Sequence, residues 1–235
     1  MPVGYTTWTV LPHDPIEKLG SNLWRVSAMM GPKGPQRSMA VARRQDGDLV
    51  IYNGIALDEP AMAELEAFGR PAYLVVPNPF HRQDAFIYKQ RYPQIKVVAP
   101  KGAAKGAAKA VPVDLSPDQL PADPEVWLGS PDGWGEKEAL MVVQGEGGST
   151  VVACDALCNL PSKVRFPANM LMGPIGQLST PLAMRWFLMK DRKLWTAHLE
   201  RLTDGLQRVI PGHGRILEGE AAVAGMQGAV ALLRG

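Results

Sequence analysis

Three short segments of the chain carry side chains that bind metal ions or move protons, and each follows a predicted strand. The first segment holds His81 and Asp84, and the second holds Asp155. The third is a Pro-Gly-His-Gly turn that contains His213. Loops that leave strand ends are where α/β proteins usually gather functional side chains. Because these side chains all leave strand ends, the three segments predict one functional site.

The surrounding sequence predicts the strands that must position these side chains. Apolar and alternating runs predict strands over residues 22–28, 38–45, 48–52, 72–76, 95–99, 126–128, 139–144, 150–154 and 208–210. Asp46-Gly47 separates two of these runs and is typical of a tight hairpin turn. A helical stretch over residues 84–91 lies between two of the apolar runs. This strand–helix–strand order predicts a parallel strand pair.

Helix signals fill most of the remaining chain. Asp58 is a predicted N-cap of a helix that ends before Gly69, and Thr180 is a predicted cap of a helix over residues 181–190. Further helices are predicted over residues 194–204 and 221–233, whereas residues 101–110 are either a weak helix or a solvated loop. Two β-rich halves covered by helices are therefore expected. Since no linker-like stretch divides them, we expect a single domain over residues 1–235.

The composition excludes several classes of protein. The net charge of +2, with 46% hydrophobic and 20% charged residues, suits a globular protein and is too weak to attract nucleic acid or an anionic membrane. Residues 166–184 are uncharged, but their prolines and glycines argue against a membrane-spanning helix. The first residues lack the pattern of a signal peptide. We therefore expect a cytoplasmic protein, with no nucleic-acid or membrane partner, that binds a small-molecule substrate or ligand.

The order and spacing of these segments resemble the metallo-β-lactamase superfamily. The run from Arg208 to Gly214, after Leu-Glu-Arg-Leu at residues 199–202, is similar to the family's final helix, strand and histidine turn. Cys154-Asp155 is similar to its Gly-Asp position, and the hairpin that ends at Asn53 is similar to its opening sheet. The resemblance implies an α+β fold, an αββα sandwich of two mixed β-sheets flanked by helices.

The metal-binding loop departs from the family's His-x-His-x-Asp-His pattern. If His81 stands at the second histidine, Pro79 replaces the first histidine, and Asp84 replaces the last. A shift of one residue instead places Asn78 at the first position and leaves His81 between ligand positions. We prefer the first register, because it keeps two side chains that can bind metal, and leave the second open. Residues 130–135, where a Pro-Gly-His-Thr motif belongs, contain no histidine.

The resemblance therefore implies a reduced metal site. Asp155 and His213 stand at ligand positions, and His81 and Asp84 are candidate additions. These four side chains are expected to hold one zinc, iron or manganese ion, or none, because too few ligands remain for two closely spaced metals. His81 and Asp155 are the expected catalytic residues.

Each candidate also has a purely structural interpretation. The two histidines are able to hydrogen-bond within their turns, Asp155 to accept backbone N–H groups, and Asp84 to cap the helix that follows it. Structural roles alone are expected for four further residues: Cys154, Cys158, His198 and His13.

Three functions remain open at this point. The first is a metal-dependent hydrolase acting on an ester, amide or phosphoester, with His81 as ligand or proton shuttle. The second is a non-catalytic relative that binds a small ligand in the former active-site cleft. Its candidate lining residues are Trp134, Met170, Met172 and Trp186. The third is a protein-interaction surface, as in a homodimer, on the uncharged residues 166–184.

Overall fold

The first β-sheet carries the opening hairpins of the chain. A computed structural model describes residues 4–30, 36–160 and 174–235. Six strands pair in sequence order: β1 (Glu17–Lys18), β2 (Leu23–Met29), β3 (Gln36–Arg43), β4 (Asp48–Tyr52), β5 (Arg70–Val75) and β6 (Lys96–Val98). Pairing is antiparallel from β1 to β4 and parallel from β4 to β6, so this sheet is mixed.

The second sheet is also mixed and comes from the second half of the chain. Its strands are β7 (Val126–Gly129), β8 (Leu140–Gly145), β9 (Gly148–Ala153), β11 (Leu206–Ile210) and β13 (Leu217–Glu218), in the order β13-β11-β9-β8-β7. Strand β11 runs parallel to β9, and the other pairs are antiparallel. A short parallel pair, β10 (Cys158–Asn159) with β12 (His213–Gly214), lies outside this sheet.

Helices lie on the outer faces of the two sheets. Their bounds are α1 (Glu59–Phe68), α2 (Ala85–Arg91), α3 (Lys101–Ala107), α4 (Leu182–Phe187), α5 (Arg192–Leu202) and α6 (Glu220–Arg234), with a 3-10 turn at Pro117–Gln119. Among the helices of the described ranges, none has both the length and the apolar composition needed to cross a membrane.

Three hydrophobic clusters give the layers of the fold. One joins the first sheet to α1 and α2, and includes Ile51 and Leu65. A second joins the other sheet to α5 and α6, and includes Trp195. The third lies between the sheets, where Val50 of β4 and Val152 of β9 belong to one cluster. Because side chains alternate along a strand, each sheet contributes one face to this central core and the other to its helices. The αββα prediction is therefore confirmed.

Most of the predicted elements are confirmed. The turn at Asp46-Gly47 joins β3 to β4, and Gly47 adopts a φ of 84° there. Strands β5 and β6 form the predicted parallel pair around α2. Asp58 caps α1 by accepting the N–H of Ala61 at 3.0 Å. Residues 101–107 form helix α3, which decides between the two interpretations of that segment.

Two capping predictions are wrong. The hydroxyl of Thr180 does not cap α4; it donates to the carbonyl of Ala156 and accepts from the indole N–H of Trp195. Asp84 precedes α2 but makes no side-chain capping bond. In both cases a buried tertiary partner is available, and a desolvated polar group favours the partner with which it satisfies its hydrogen bonds.

Residues 166–173 of the uncharged stretch at residues 166–184, which include Met170 and Met172, lie outside the described residues. The interaction surface proposed for it therefore stays a prediction. Of the other candidate pocket residues, Trp134 is fully buried and packs edge-on against Trp195, whereas Trp186 is 69% exposed.

Candidate metal centre

Four loops that leave the carboxyl ends of parallel strands meet at one edge of the sandwich. Asn53 follows β4, Asn78 comes shortly after β5, Asp155 follows β9, and His213 comes shortly after β11. Strands β4 and β5 are parallel neighbours in the first sheet, as are β9 and β11 in the second. Since parallel strands end at the same edge, both sheets deliver polar side chains to one place. The structure thus brings the three predicted segments together.

The centre of the cluster is one carboxylate oxygen between two imidazoles. Asp155 Oδ1 lies 3.3 Å from Nε2 of His81 and 3.4 Å from Nε2 of His213. The two imidazole rings are 5.1 Å apart, centroid to centroid. His81, Asp155 and His213 are 5%, 7% and 4% exposed. The contacts are therefore shielded from bulk water, which strengthens every electrostatic interaction among them.

The outer nitrogen of each imidazole has a fixed hydrogen-bond role. Nδ1 of His213 lies 2.8 Å from the backbone carbonyl oxygen of Gln36, which only accepts. Nδ1 of His81 lies 3.2 Å from Oδ1 of Asn53. The amide nitrogen of Asn53 donates to Ser38 O, so its Oδ1 must be an acceptor. Both Nδ1 atoms therefore carry protons, so each ring, when it is neutral, turns an Nε2 lone pair toward Asp155.

Three electron-rich atoms consequently face one another in a buried space. Two Nε2 lone pairs and one carboxylate oxygen repel each other unless a cation, either a proton or a metal ion, lies among them. Burial raises the pKa of Asp155, but His81 and His213 outweigh it and hold that pKa well below its usual range. Burial lowers the pKa of His81. For His213 burial acts in the same direction, but the contact with Asp155 outweighs it and raises the pKa.

The second oxygen of Asp155 belongs to a separate hydrogen-bonded network. Asn78 Nδ2 donates to Asp155 Oδ2 at 2.8 Å and to Glu138 Oε2 at 2.9 Å. Asn78 and Glu138 are both fully buried. Burial raises the pKa of Glu138 well above its usual value, and the charge of Asp155 adds to this shift.

Two glycines allow the histidine turn to approach the strand that precedes Asp155. The N–H of Gly212 donates to the carbonyl oxygens of Cys154 and Leu157, both at 3.2 Å. A Cβ atom on Gly212 would lie 2.4 Å from Cys154 O, which no packing tolerates. Gly214 has a φ of 95°, and a Cβ there would lie 1.8 Å from Asn159 O. The Pro-Gly-His-Gly sequence therefore serves the close approach that places His213 against Asp155.

Asp84 is placed differently from the other three predicted ligands. Its Oδ2 accepts from the guanidinium of Arg37, and its Oδ1 accepts the N–H of Ala56 at 3.0 Å. Both members of this ion pair are buried, with side chains 3% and 2% exposed. The structure does not bring Asp84 to Asp155 and the two imidazoles. Asn78, which the preferred register leaves without a role, contacts Asp155 instead, so neither register alone accounts for both Asn78 and His81.

Cys154 lies closer to the cluster than expected. One ligand atom each from His81, Cys154 and Asp155 lie within 4.8 Å of one another. Cys154 and Cys158 are buried as predicted, and burial raises the pKa of both thiols well above the usual value. His198 of α5 contacts Asp132, and His13 bonds within its own loop, which agrees with structural roles for both.

Glu138, Asn53 and Gln36 were not predicted as part of the site. Glu138 stands in a charged run just before β8, where an exposed side chain is the ordinary expectation, so it gave no signal. Gln36 acts through its backbone carbonyl, which has no sequence signature. Asn53 has a φ of 58° at the end of β4, a conformation that asparagine tolerates better than most residues. An asparagine at a strand end was thus the one available clue.

Two of the separations between donor atoms match those expected around a tetrahedral metal ion. Ligands about 2.0–2.1 Å from such an ion are about 3.3–3.4 Å from each other. The two observed distances from Asp155 Oδ1 to the imidazole nitrogens, 3.3 and 3.4 Å, match this separation. They are longer than the roughly 2.7–2.9 Å of a charge-assisted N–H···O bond. Both imidazoles also donate their outer N–H to an oxygen, as metal-bound histidines do.

Solved structures of metallo-β-lactamases superpose on nearly the whole chain. DIM-1 metallo-β-lactamase exposed to ceftazidime matches with a TM-score of 0.61 and 14% identity, over 95% of this chain and 99% of that one. FIM-1 from Pseudomonas aeruginosa in the mono-zinc form matches with a TM-score of 0.61 and 13% identity, over 96% of this chain and 98% of that one. This chain has the metallo-β-lactamase fold. The metallo-β-lactamase from Pontibacter korlensis agrees, with a TM-score of 0.60 and 13% identity over 95% and 100%.

The metallo-β-lactamase fold is shown by structure and not by sequence. No protein-family model matches the sequence, and a search of curated proteins finds no significant match. At such low identity, the likeness concerns the arrangement of the sheets and helices. The chemistry of this chain must therefore be argued from its own side chains.

Proposed function

We propose that the protein is a hydrolase-like member of its fold with a single divalent metal ion, held by His81, Asp155 and His213. The observation that carries this proposal is the convergence of two imidazole Nε2 atoms on one buried carboxylate oxygen, at 3.3 and 3.4 Å. A metal ion among these atoms removes their mutual repulsion. Cys154 is a further candidate ligand, because its sulfur lies within 4.8 Å of ligand atoms of His81 and Asp155.

Zinc is the ion that best suits this donor set. Imidazole nitrogen, carboxylate oxygen and thiolate sulfur are all zinc ligands, whereas a sulfur ligand disfavours manganese. One similar structure, FIM-1, is described in a mono-zinc form. When bound, such an ion polarises a carbonyl or phosphoryl group and acidifies water. Asp155 and His213 would hold the ion, and His81 would hold it or move a proton at Nε2.

Metal analysis tests the proposal directly. Protein purified without chelator, or dialysed against zinc, is expected to retain about one equivalent, whereas His213→Ala should fall below about 0.2 equivalents. His198→Ala is the matched control, because His198 contacts Asp132 and lies on α5. Wild-type protein that binds less than about 0.2 equivalents, unchanged by His213→Ala, refutes the proposal.

A second candidate function is a non-catalytic protein whose cluster holds a proton in place of a metal. The burial of the cluster favours it, since the residues His81, Asp155 and His213 are 5%, 7% and 4% exposed. In that case Asp155 stays ionised, and the raised pKa of His213 makes this imidazole the proton carrier. A small ligand that shifts the melting temperature, with no shift from zinc or manganese, would favour this candidate.

A further inference from the structure

The Asn78 side chain uses all of its hydrogen-bonding groups at the edge of the cluster. Its Oδ1 accepts the backbone N–H groups of Phe80 at 2.9 Å and His81 at 3.1 Å. Its amide nitrogen donates to Asp155 at 2.8 Å and Glu138 at 2.9 Å. Because the two backbone donors require the oxygen on their side, the amide orientation is determined. Both N–H groups must point at the carboxylates.

Glu138 closes this network into a ring. Its Oε1 accepts the N–H of Ala156, the residue that follows Asp155, at 3.1 Å. Its Oε2 accepts from Asn78, which in turn holds Asp155 Oδ2. The Asp155 loop is therefore held at its backbone by Glu138 and at its side chain by Asn78. These contacts leave Asp155 Oδ1 as the oxygen that faces the two imidazoles.

The same network joins three separate parts of the chain. Asn78 belongs to the loop after β5, Glu138 to the segment before β8, and Asp155 to the loop after β9. The N–H of Ala139 also donates to the carbonyl of Pro77 at 2.7 Å, so the backbones beside Asn78 and Glu138 are themselves bonded. A displacement of either side chain would be transmitted to Asp155 and, through the N–H of His81, to that imidazole as well.

We propose that Asn78 and Glu138 are positioning residues of the metal centre, which lock the Asp155 carboxylate so that Oδ1 is presented to the ion. This inference rests on the proposed function, since it concerns the affinity of that same site. Groups that orient metal ligands from behind typically change metal affinity by about 10–100-fold when they are removed. Neither residue needs to touch the ion for this effect.

Two substitutions break the ring at different links. Glu138→Gln preserves volume but places an amide NH₂ against either the Ala156 N–H or the Asn78 N–H, so one acceptor is lost. Asn78→Ser keeps an oxygen near the N–H groups of Phe80 and His81 but cannot donate to both carboxylates. Each variant is expected to weaken cobalt(II) and zinc binding by about 10–100-fold. Each should also change the visible absorption spectrum of the cobalt(II) protein, which reports ligand geometry.

The chain offers a matched control pair. Asn22 Nδ2 donates to Glu125 Oε2 at 2.9 Å, an asparagine–glutamate bond as long as that between Asn78 and Glu138. Asn22 also donates to the carbonyl of Gln144, near the end of β8 that lies away from Ala139. Asn22→Ser and Glu125→Gln should therefore leave cobalt(II) affinity and spectrum unchanged. Melting of the metal-free proteins identifies any variant that is unfolded.

The outcomes separate this inference from the proposed function. If wild-type protein binds one ion and both ring variants bind it with unchanged affinity and spectrum, the positioning role is refuted while the metal centre stands. If wild-type protein binds no ion, both proposals fail. Weaker binding with an altered spectrum in Glu138→Gln and Asn78→Ser, but not in the control pair, supports the positioning role. Should one ring variant fail to fold, the other decides.

Discussion

The buried ion pair between Arg37 and Asp84 is expected to act on stability and not on metal binding. Both side chains are almost fully buried, at 3% and 2% exposed. Asp84→Asn keeps the shape of the side chain and its bond to the N–H of Ala56, but leaves the guanidinium without a counter-charge. Breaking a buried ion pair in this way costs about 3–5 kcal/mol.

That cost is large against the whole stability of a domain, about 5–15 kcal/mol. Equilibrium urea unfolding of the metal-free protein measures it, with a slope of about 3 kcal/mol per molar for a domain of this size. The unfolding midpoint of Asp84→Asn should therefore fall by about 1–2 M. Zinc content per folded molecule should not change, because Asp84 faces Arg37 and not the cluster around Asp155.

A double variant provides the internal check. Replacing both partners, as in Arg37→Met with Asp84→Leu, removes the unpaired charge and should recover most of the lost stability. Glu64→Ala, which breaks an ion pair with Lys18 whose side chains are 57% and 44% exposed, should cost under about 1 kcal/mol. This prediction is refuted if Asp84→Asn loses its zinc while its unfolding midpoint falls no further than that of Glu64→Ala.

Two further predictions concern backbone features of the fold. Gly214→Ala should destabilise the protein by more than the roughly 1–3 kcal/mol of positive-φ strain alone, because its Cβ would also meet Asn159 O at 1.8 Å. Gly47 also has a positive φ, but a Cβ there would meet nothing within 4 Å, so Gly47→Ala should show the cost of the strain alone. If both variants lose the same free energy of unfolding in urea, the close approach at Gly214 is contradicted. Asp191→Ala removes the acceptor of the Leu194 N–H at the start of α5 and should cost about 1 kcal/mol by the same assay, with an unchanged midpoint counting against the cap.

Local signals in the sequence were sufficient for most of the secondary structure. The Asp46-Gly47 turn, the Asp58 cap and the apolar runs each act over a few residues, and the structure agrees with them. Such signals failed where a distant partner competed. Thr180 and Asp84 both stand where a cap is expected, yet each bonds a buried group far away in the sequence. A capping pattern covers only a few neighbouring residues, so it carries no information about a distant hydrogen-bond partner.

The location of the site was also predictable, but its membership was predictable only in part. Polar side chains after strands predicted that Asp155, His81 and His213 would share one edge, and the structure places them there. The inward-facing side chains of the loop after β5 could not be predicted, because they depend on the path of its backbone. Asn78 and His81 are three residues apart and both face Asp155, while Asp84, another three residues on, faces Arg37.

The sequence by itself determined the αββα layering and the edge at which the site lies, because strand periodicity and the order of elements depend on neighbours along the chain. Only the tertiary structure decided which group contacts each buried carboxylate. Asp155, Glu138 and Asp84 are all buried acids in loops or at element ends, and nothing in their local sequence distinguishes them. Their roles come from two imidazoles, an amide and a guanidinium, respectively, each brought from a distant segment. A buried charge is stabilised by whichever partner the packing places within a few ångströms, and that distance is a property of the fold.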